Sequence, residues 1–143
     1  NLRKVSKIVD DRQFSSAEFK KFYRNLKFTM VKRDGVGLAA PQVGKNIRLF
    51  AMQTKDGPLI FINPKITKKS LTKEWSEEGC LSVPNTFGKV KRHKKITCLY
   101  QNDQGERKKI IANGLMAAVL QHENDHLDGI LFIDKAREII KGE

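Results

Sequence analysis

The arrangement that most restricts what this chain can fold into is His122-Glu123-Asn124-Asp125-His126 at the end of an apolar stretch. Residues four apart lie on one face of a helix, and Leu115, Ala118 and Val119 continue the stripe that leads to the two histidines. The spacing predicts a helix from Gly114 to His126 with that face turned inward, which buries two imidazoles that then need partners. A metal ion satisfies both at once, and Glu123 beside them can handle the proton of a water activated by that metal. The alternative is a chance histidine pair on an exposed helix, against which Leu, Ala and Val on the same face speak.

A catalytic metal takes three protein ligands and keeps one position open. Downstream of the helix the candidates are Asp134, Glu138 and Glu143, none with a supporting pattern. Upstream, Glu78-Gly79-Cys80-Leu81-Ser82 offers a thiol on what reads as a tight glycine-containing turn rather than inside a strand. A thiolate beside a divalent metal is deprotonated outright, so Cys80 is the more attractive third ligand. Cys98 sits mid-strand among Ile96, Thr97, Leu99 and Tyr100 and reads as a buried structural thiol. His93, inside the basic run from Lys89 to Lys95, reads as a solvated imidazole. A third segment, Gly35-Val36-Gly37-Leu38-Ala39-Ala40-Pro41-Gln42, has glycines suited to close approach of the backbone to a ligand and ends on an uncharged amide. It lacks the lysine of a P-loop and the third glycine of a dinucleotide fingerprint, leaving a plain turn as the other reading.

The rest of the chain supplies the scaffold. Ser15 at an N-cap with Glu18 three residues on, and Phe14 stapled to Phe19, predict the start of a helix. Phe19, Phe22, Tyr23, Leu26 and Met30 then continue at helical spacing towards Arg33, with lysines and Arg24 between them. Residues 47–52, 58–62 and 96–100 read as strands, with hairpin turns at Asp56-Gly57 and Asn102 to Gly105 and a return strand from Lys108 to Ala112. Leu131-Phe132-Ile133 and a short polar tail close the chain. Without repeats or linkers, residues 1–143 are expected to form one α+β domain.

The 28 Lys plus Arg against 16 Asp plus Glu give a net charge of +12, which suits a polyanionic neighbour or simple solubility. Two cysteines do not build a disulfide scaffold, so a reducing compartment is expected. No apolar run reaches the roughly 20 residues of a membrane-spanning helix. The first twelve residues read as neither a secretory signal nor a transit peptide, and the start at Asn1 suggests that the natural beginning lies upstream.

In order along the chain, the glycine segment ending at Gln42, the Glu78-to-Ser82 segment and Gln121 to Gly129 together resemble the peptide deformylase family. That resemblance implies antiparallel sheets around a central metal-binding helix. It also implies removal of the formyl group from the N-terminal formyl-methionine of nascent polypeptides, in the cytoplasm of a bacterium or from a phage gene, with an organelle as the alternative. By the same likeness Cys80, His122 and His126 hold the metal, Glu123 acts as general base and then acid, and Gln42 with the backbone N–H of Leu81 holds the oxyanion. Val36, Leu115, Ala118, Val119 and the aliphatic part of Arg92 line a methionine pocket, and backbone groups of Val36, Gly37 and Gly79 pair with the substrate.

The family implies Fe(II), with zinc, nickel or cobalt able to occupy the site, whereas a His₂Cys set alone suits zinc. A monomer is expected. The chain lacks about a dozen family residues before Leu2 and the long C-terminal helix with which some relatives dock on the ribosome. Cations avoid the chemical segments: residues 35–44, 74–84 and 110–134 hold no Lys or Arg but seven acids. A basic exterior that associates weakly with ribosomes is therefore expected. A zinc peptidase and a basic RNA-binding module with a structural metal are the rival readings.

Overall fold

The structure, a computed structural model, describes residues 2–10, 12–13, 16–80 and 82–141, with the backbone alone at 84, 85, 138, 140 and 141. Helix α1 (Ala17–Lys32) is followed by β1 (Gly37–Ala39), a 3₁₀ turn at Ala40–Val43, β2 (Leu49–Thr54) and β3 (Gly57–Lys69). Then come β4 (Lys73–Cys80), β5 (Val83–His93), β6 (Lys95–Gln101), β7 (Arg107–Asn113), α2 (Gly114–Leu127), a 3₁₀ turn at Phe132–Asp134 and β8 (Arg137–Lys141). The strands form two antiparallel sheets, β1-β2-β3-β6-β7 and β4-β5-β8.

Strand β2 explains the arrangement of the core. Its first four residues are all buried because a helix covers each face of the larger sheet. Leu49 and Ala51 point to α1 and pack with Tyr23, Leu26, Met30, Ile60 and Ile62. Phe50 and Met52 point the other way, to Ala117, Leu120 and Leu127 of α2, with Phe61 beside them. Period-two alternation therefore feeds two cores rather than one core and solvent. The other side of α2 meets β4 and β5, so this helix is wedged between the two sheets. That enclosure buries its polar residues Gln121, His122, Glu123, Asp125 and His126 along with its apolar ones.

The first helix begins one residue later than the sequence pattern suggests. Phe14 and Ser15 lie outside the described residues, and Ser16 is the N-cap, its Oγ accepting from Phe19 N at 3.2 Å. The smaller sheet has no counterpart in the sequence reading. Residues 73–80 alternate weakly and are mostly exposed, and only pairing with β5 makes them a strand. The segment Leu131 to Ile133 enters the second 3₁₀ turn before β8 pairs with β5.

Residues 2–10 run as a strap beneath the end of α2. Ser6 N donates to Leu127 O at 2.7 Å, Arg48 Nη1 to the same carbonyl at 3.1 Å, and Arg48 Nη2 to Asp128 at 2.9 Å. Carbonyls at a helix C-terminus have no partner within the helix, and these contacts supply some. Among the described residues no helix is long and apolar enough to cross a membrane.

Candidate metal centre and its cavity

Cys80 arrives at the site as the last residue of β4, and His122 and His126 from consecutive turns of α2. The expected turn at Cys80 is in fact the end of a strand. A register shift between Gly79 and Cys80 re-aims the chain, so that Cys80 pairs with Val83. One ligand atom from each of the three residues lies within 4.8 Å of the others, and Cys80 Sγ is 3.3 Å from His126 Nε2.

The surrounding partners prepare these side chains for a cation. His122 Nδ1 lies 2.8 Å from Glu78 Oε1; burial alone would lower this imidazole, but hydrogen bonds with Cys80 and Glu78 raise it to about 10, so a ligated ion would replace the Nε2 proton while Nδ1 keeps its own. Burial alone would raise the Glu78 carboxyl, but hydrogen bonds and charge from Arg92 and His122 hold it down at about 2. Burial, with repulsion from His122, pushes His126 down to about 4, which keeps its imidazole neutral. His126 Nδ1 is buried and has no hydrogen-bond partner. A thiol and two imidazoles, buried or half-buried and close together, fit a divalent ion of intermediate softness.

Arg92 anchors this network from below. Only 3% exposed, it grips Glu78 with two bonds, of 2.9 and 2.7 Å, and reaches Asp125 at 2.6 Å. Lys135 closes on the same Asp125 oxygen at 3.0 Å. The structure does not place the Arg92 stem where the methionine pocket is expected: two buried carboxylates claim its guanidinium, and it lies outside the cavity that His122 lines. Glu78 and Asp125 are the residues the sequence reading passes over. The signal available is that each sits within a few positions of a ligand while carrying charge that burial requires to be paired.

Gln42 is held at both ends of its amide. Oε1 accepts from Ala39 N at 2.8 Å, and Nε2 donates towards Cys80 Sγ at 3.3 Å and Ser82 Oγ at 3.0 Å. Ser82 is a third residue without an assigned role in the sequence reading. Leu81, expected to donate its N–H, lies outside the described residues. Glu123 is 3% exposed, its Oε1 has no partner, and burial raises its carboxyl to about 7, with His122 opposing. The other oxygen lies against the Cα of Gly37: a Cβ there would stand 2.7 Å from Glu123 Cδ and 2.8 Å from its Cγ.

A cavity of about 480 Å³ opens onto these groups, and Val36, Gly37, Gly79, Leu115, Ala118 and Val119 are among its lining residues. Leu115 is 75% exposed at the mouth, because α2 begins there, and does not continue the buried stripe. Phe87, which no sequence pattern marks, forms another wall, and Gly79 leaves room for its ring, 2.8 Å from where a Cβ would be. His93 is not a solvated imidazole: Nδ1 bonds Ser70 O at 2.7 Å, and its backbone pairs with the Gln121 amide. Cys98 is buried in β6, away from the site, and burial raises its thiol to about 11.

Comparison with known proteins agrees with this geometry. The family described as polypeptide deformylase matches residues 1–141. A peptide deformylase of Pseudothermotoga lettingae is 48% identical over 134 residues, covering 93% of this chain and 75% of that protein. The crystal structure of peptide deformylase from Thermotoga maritima superposes with a TM-score of 0.90 at 44% identity, covering 95% of this chain and 90% of the other. A class I type b peptide deformylase from Acinetobacter baumannii, bound to Met-Ala-Ser, gives 0.89 at 33% identity, covering 94% and 91%. With all three chemical segments inside the matched span, the chain belongs to the polypeptide deformylase family.

Proposed function

We propose that this chain removes the formyl group from the N-terminal formyl-methionine of nascent polypeptides and releases formate. The observation that carries the reading is a cavity lined by the Cys80 thiol, the His122 imidazole, the buried Glu123 carboxyl and the Gln42 amide, with the buried His126 completing the cluster of three ligand atoms. Cys80, His122 and His126 would hold a divalent ion, which when bound would supply Lewis acidity and a water of pKa lowered from 15.7 towards about 7. Glu123 accepts the proton of the attacking water and returns it to the leaving amine, and a carboxyl raised by burial suits a group that must hold a proton between two transfers. Gln42 Nε2 donates to the formyl oxygen as negative charge develops there, with the Leu81 N–H as a second donor. Glu78, locked by Arg92, keeps the His122 ring oriented.

The methionine side chain would enter between Val36, Leu115, Ala118 and Val119, while backbone groups of Val36, Gly37 and Gly79 pair with the substrate as an added strand. The Acinetobacter neighbour's Met-Ala-Ser, a peptide that begins with methionine, supports this placement. A pocket of this type separates side chains by about 1–3 kcal/mol per methylene, so residues similar to methionine are accepted with lower efficiency. Fe(II) is the proposed native ion, and the setting is a bacterial cytoplasm in which the monomer associates weakly with ribosomes.

The test is formate release from a formyl-Met-Ala-Ser peptide compared with its unformylated twin, using protein prepared anaerobically with iron. Formate from the first peptide alone is expected. Cleavage of internal bonds in both peptides would identify a peptidase instead. Full activity after aerobic purification with zinc alone would remove iron as the required ion.

A further inference from the structure

The larger sheet is covered unequally. On the face opposite α2, helix α1 packs over β1, β2 and β3, while among the described residues no helix packs over β6 and β7 on that side. Ile96 and Tyr100 of β6 point to the α2 core, so Leu99 and Gln101 point away from it by alternation. Their cross-strand partners share that face. Lys65 and Lys109 flank Leu99, Arg107 pairs with Gln101, and Lys68 and Ile111 flank Thr97. All four cations are exposed, and Leu99 and Ile111 are 43% and 54% exposed. A depression of about 610 Å³ runs along part of this face, lined in part by Asn63, Lys65, Gln101, Arg107 and Lys109.

No acid answers these charges from the same strands: β3, β6 and β7 contain no Asp or Glu. Of the acids at the nearby hairpin, Asp103 is occupied by Lys27, and Glu106 faces Lys108 and Asn102. Lys65, Lys68, Arg107 and Lys109 make no ion pair among the described residues. Strands lie about 4.8 Å apart and alternate residues about 7 Å apart, so adjacent charges among the four are spaced by roughly 7–10 Å, comparable to the Debye length at physiological salt. They repel one another, and a polyanion of matching extent relieves that repulsion at several points together.

We infer that the β3-β6-β7 face is a docking surface for the phosphate backbone of structured RNA. The half-buried amide of Gln101 among the cations suits phosphate oxygens and 2′-hydroxyls, which are the groups an A-form helix presents. An anionic bilayer would be met by an amphipathic helix inserting a continuous apolar half, whereas this face offers a rigid sheet with two separated aliphatic residues. The surface lies on the opposite side of the sheet from α2, so bound RNA leaves the mouth of the metal cavity open. This inference goes beyond the deformylase reading and does not depend on it.

The experiment measures binding of a fluorescent A-form RNA hairpin between 50 and 200 mM salt, with turnover of a formyl-Met peptide recorded on the same samples. Lys65→Glu/Arg107→Glu/Lys109→Glu should weaken binding by at least about 30-fold at 50 mM salt and lower the salt slope by about 2–3, at close to one unit per lost phosphate contact. The neutral triple variant with glutamine at the same positions should weaken binding by about tenfold, and it decides the matter if the glutamate variant fails to fold. A control with Lys20→Glu/Lys21→Glu/Arg24→Glu in α1 removes as much charge and should cost less than about threefold. Peptide turnover should be unchanged throughout, which separates failure of this inference from failure of the catalytic one. The inference is overturned if the control loses as much affinity as the sheet variants, if the wild-type protein does not bind RNA, or if it binds phosphatidylglycerol vesicles in preference to RNA.

Discussion

Replacing Gly37 with alanine tests how the general base is held. The backbone of Gly37 is ordinary extended strand, paired with Met52, so an added methyl group has no conformational objection of its own. Its objection is space. The new Cβ would lie 2.7 and 2.8 Å from Cδ and Cγ of Glu123, well inside van der Waals contact. Neither side can easily yield, because β1 is held in the sheet and Glu123 is buried on α2 between two sheets. Overpacking of this kind costs about 1–3 kcal/mol of stability. The larger effect falls on chemistry, since a displacement of about 1 Å at a reacting group costs on the order of 10²-fold and loss of a general base about 10²- to 10⁴-fold.

Gly37→Ala should therefore keep one metal per chain, lose little stability in urea titration and fall in kcat by about 10²-fold or more. A double-mutant cycle gives the decisive reading, because the added methyl group can act through Glu123 only while Glu123 is present. In a Glu123→Ala background the same change should cost less than about threefold. The reasoning fails if Gly37→Ala retains near-normal turnover, or if its effect is undiminished when Glu123 is absent.

Two further changes probe the surroundings of the metal. Gln42→Ala should lower kcat by about 10²- to 10³-fold with metal content intact, since it removes one donor to the developing oxyanion; near-normal kcat would take Gln42 out of that role. Glu78 titrates at about 2 in the fold against 4.5 ordinarily, so its contribution to stability is complete above about pH 4.5 and is lost as the pH falls towards 2. Stability curves of wild type and Glu78→Gln should accordingly converge as the pH is lowered through that window, and a gap independent of pH would show that the charge of Glu78 is not what stabilises the fold.

The parts of the site legible in the sequence are those fixed by local periodicity. The four-residue spacing of His122 and His126 needs only helix geometry, and Gln42 and Cys80 are marked by the glycines beside them. What the sequence conceals depends on pairing between distant segments. Arg92 has a stem long enough to line a pocket, and its path inward to Glu78 and Asp125 follows from the β4-β5 hairpin, whose strands carry few apolar residues to announce it. Leu115 fits the apolar stripe by spacing, yet at the first turn of α2 it meets the cavity mouth instead of a facing element. Cys80 reads as a turn residue because its glycine neighbour suggests one, whereas the glycine accommodates the ring of Phe87 inside a strand. The two-sided burial of β2 is visible only as an uninterrupted apolar run, which is equally compatible with a sheet covered on both faces or a core of another kind.

The strap under α2 also bears on the order in which such a chain assembles during synthesis. Its inner half can settle early, since Lys7 bonds Asn46 and Val9 bonds the side chain of Asn63, all made in the first half of the polypeptide. Its outer half cannot. Ser6 waits for Leu127, Arg3 waits for Asp134, and the Arg3 carbonyl packs against Gly129, which has φ +74 and no side chain in the way. In vectorial synthesis the segment from Arg3 to Ser6 is thus made long before the partners that tie it down. The outer half of the strap can be fastened only after the metal-binding helix has been made, so its closure reports that the helix is in place.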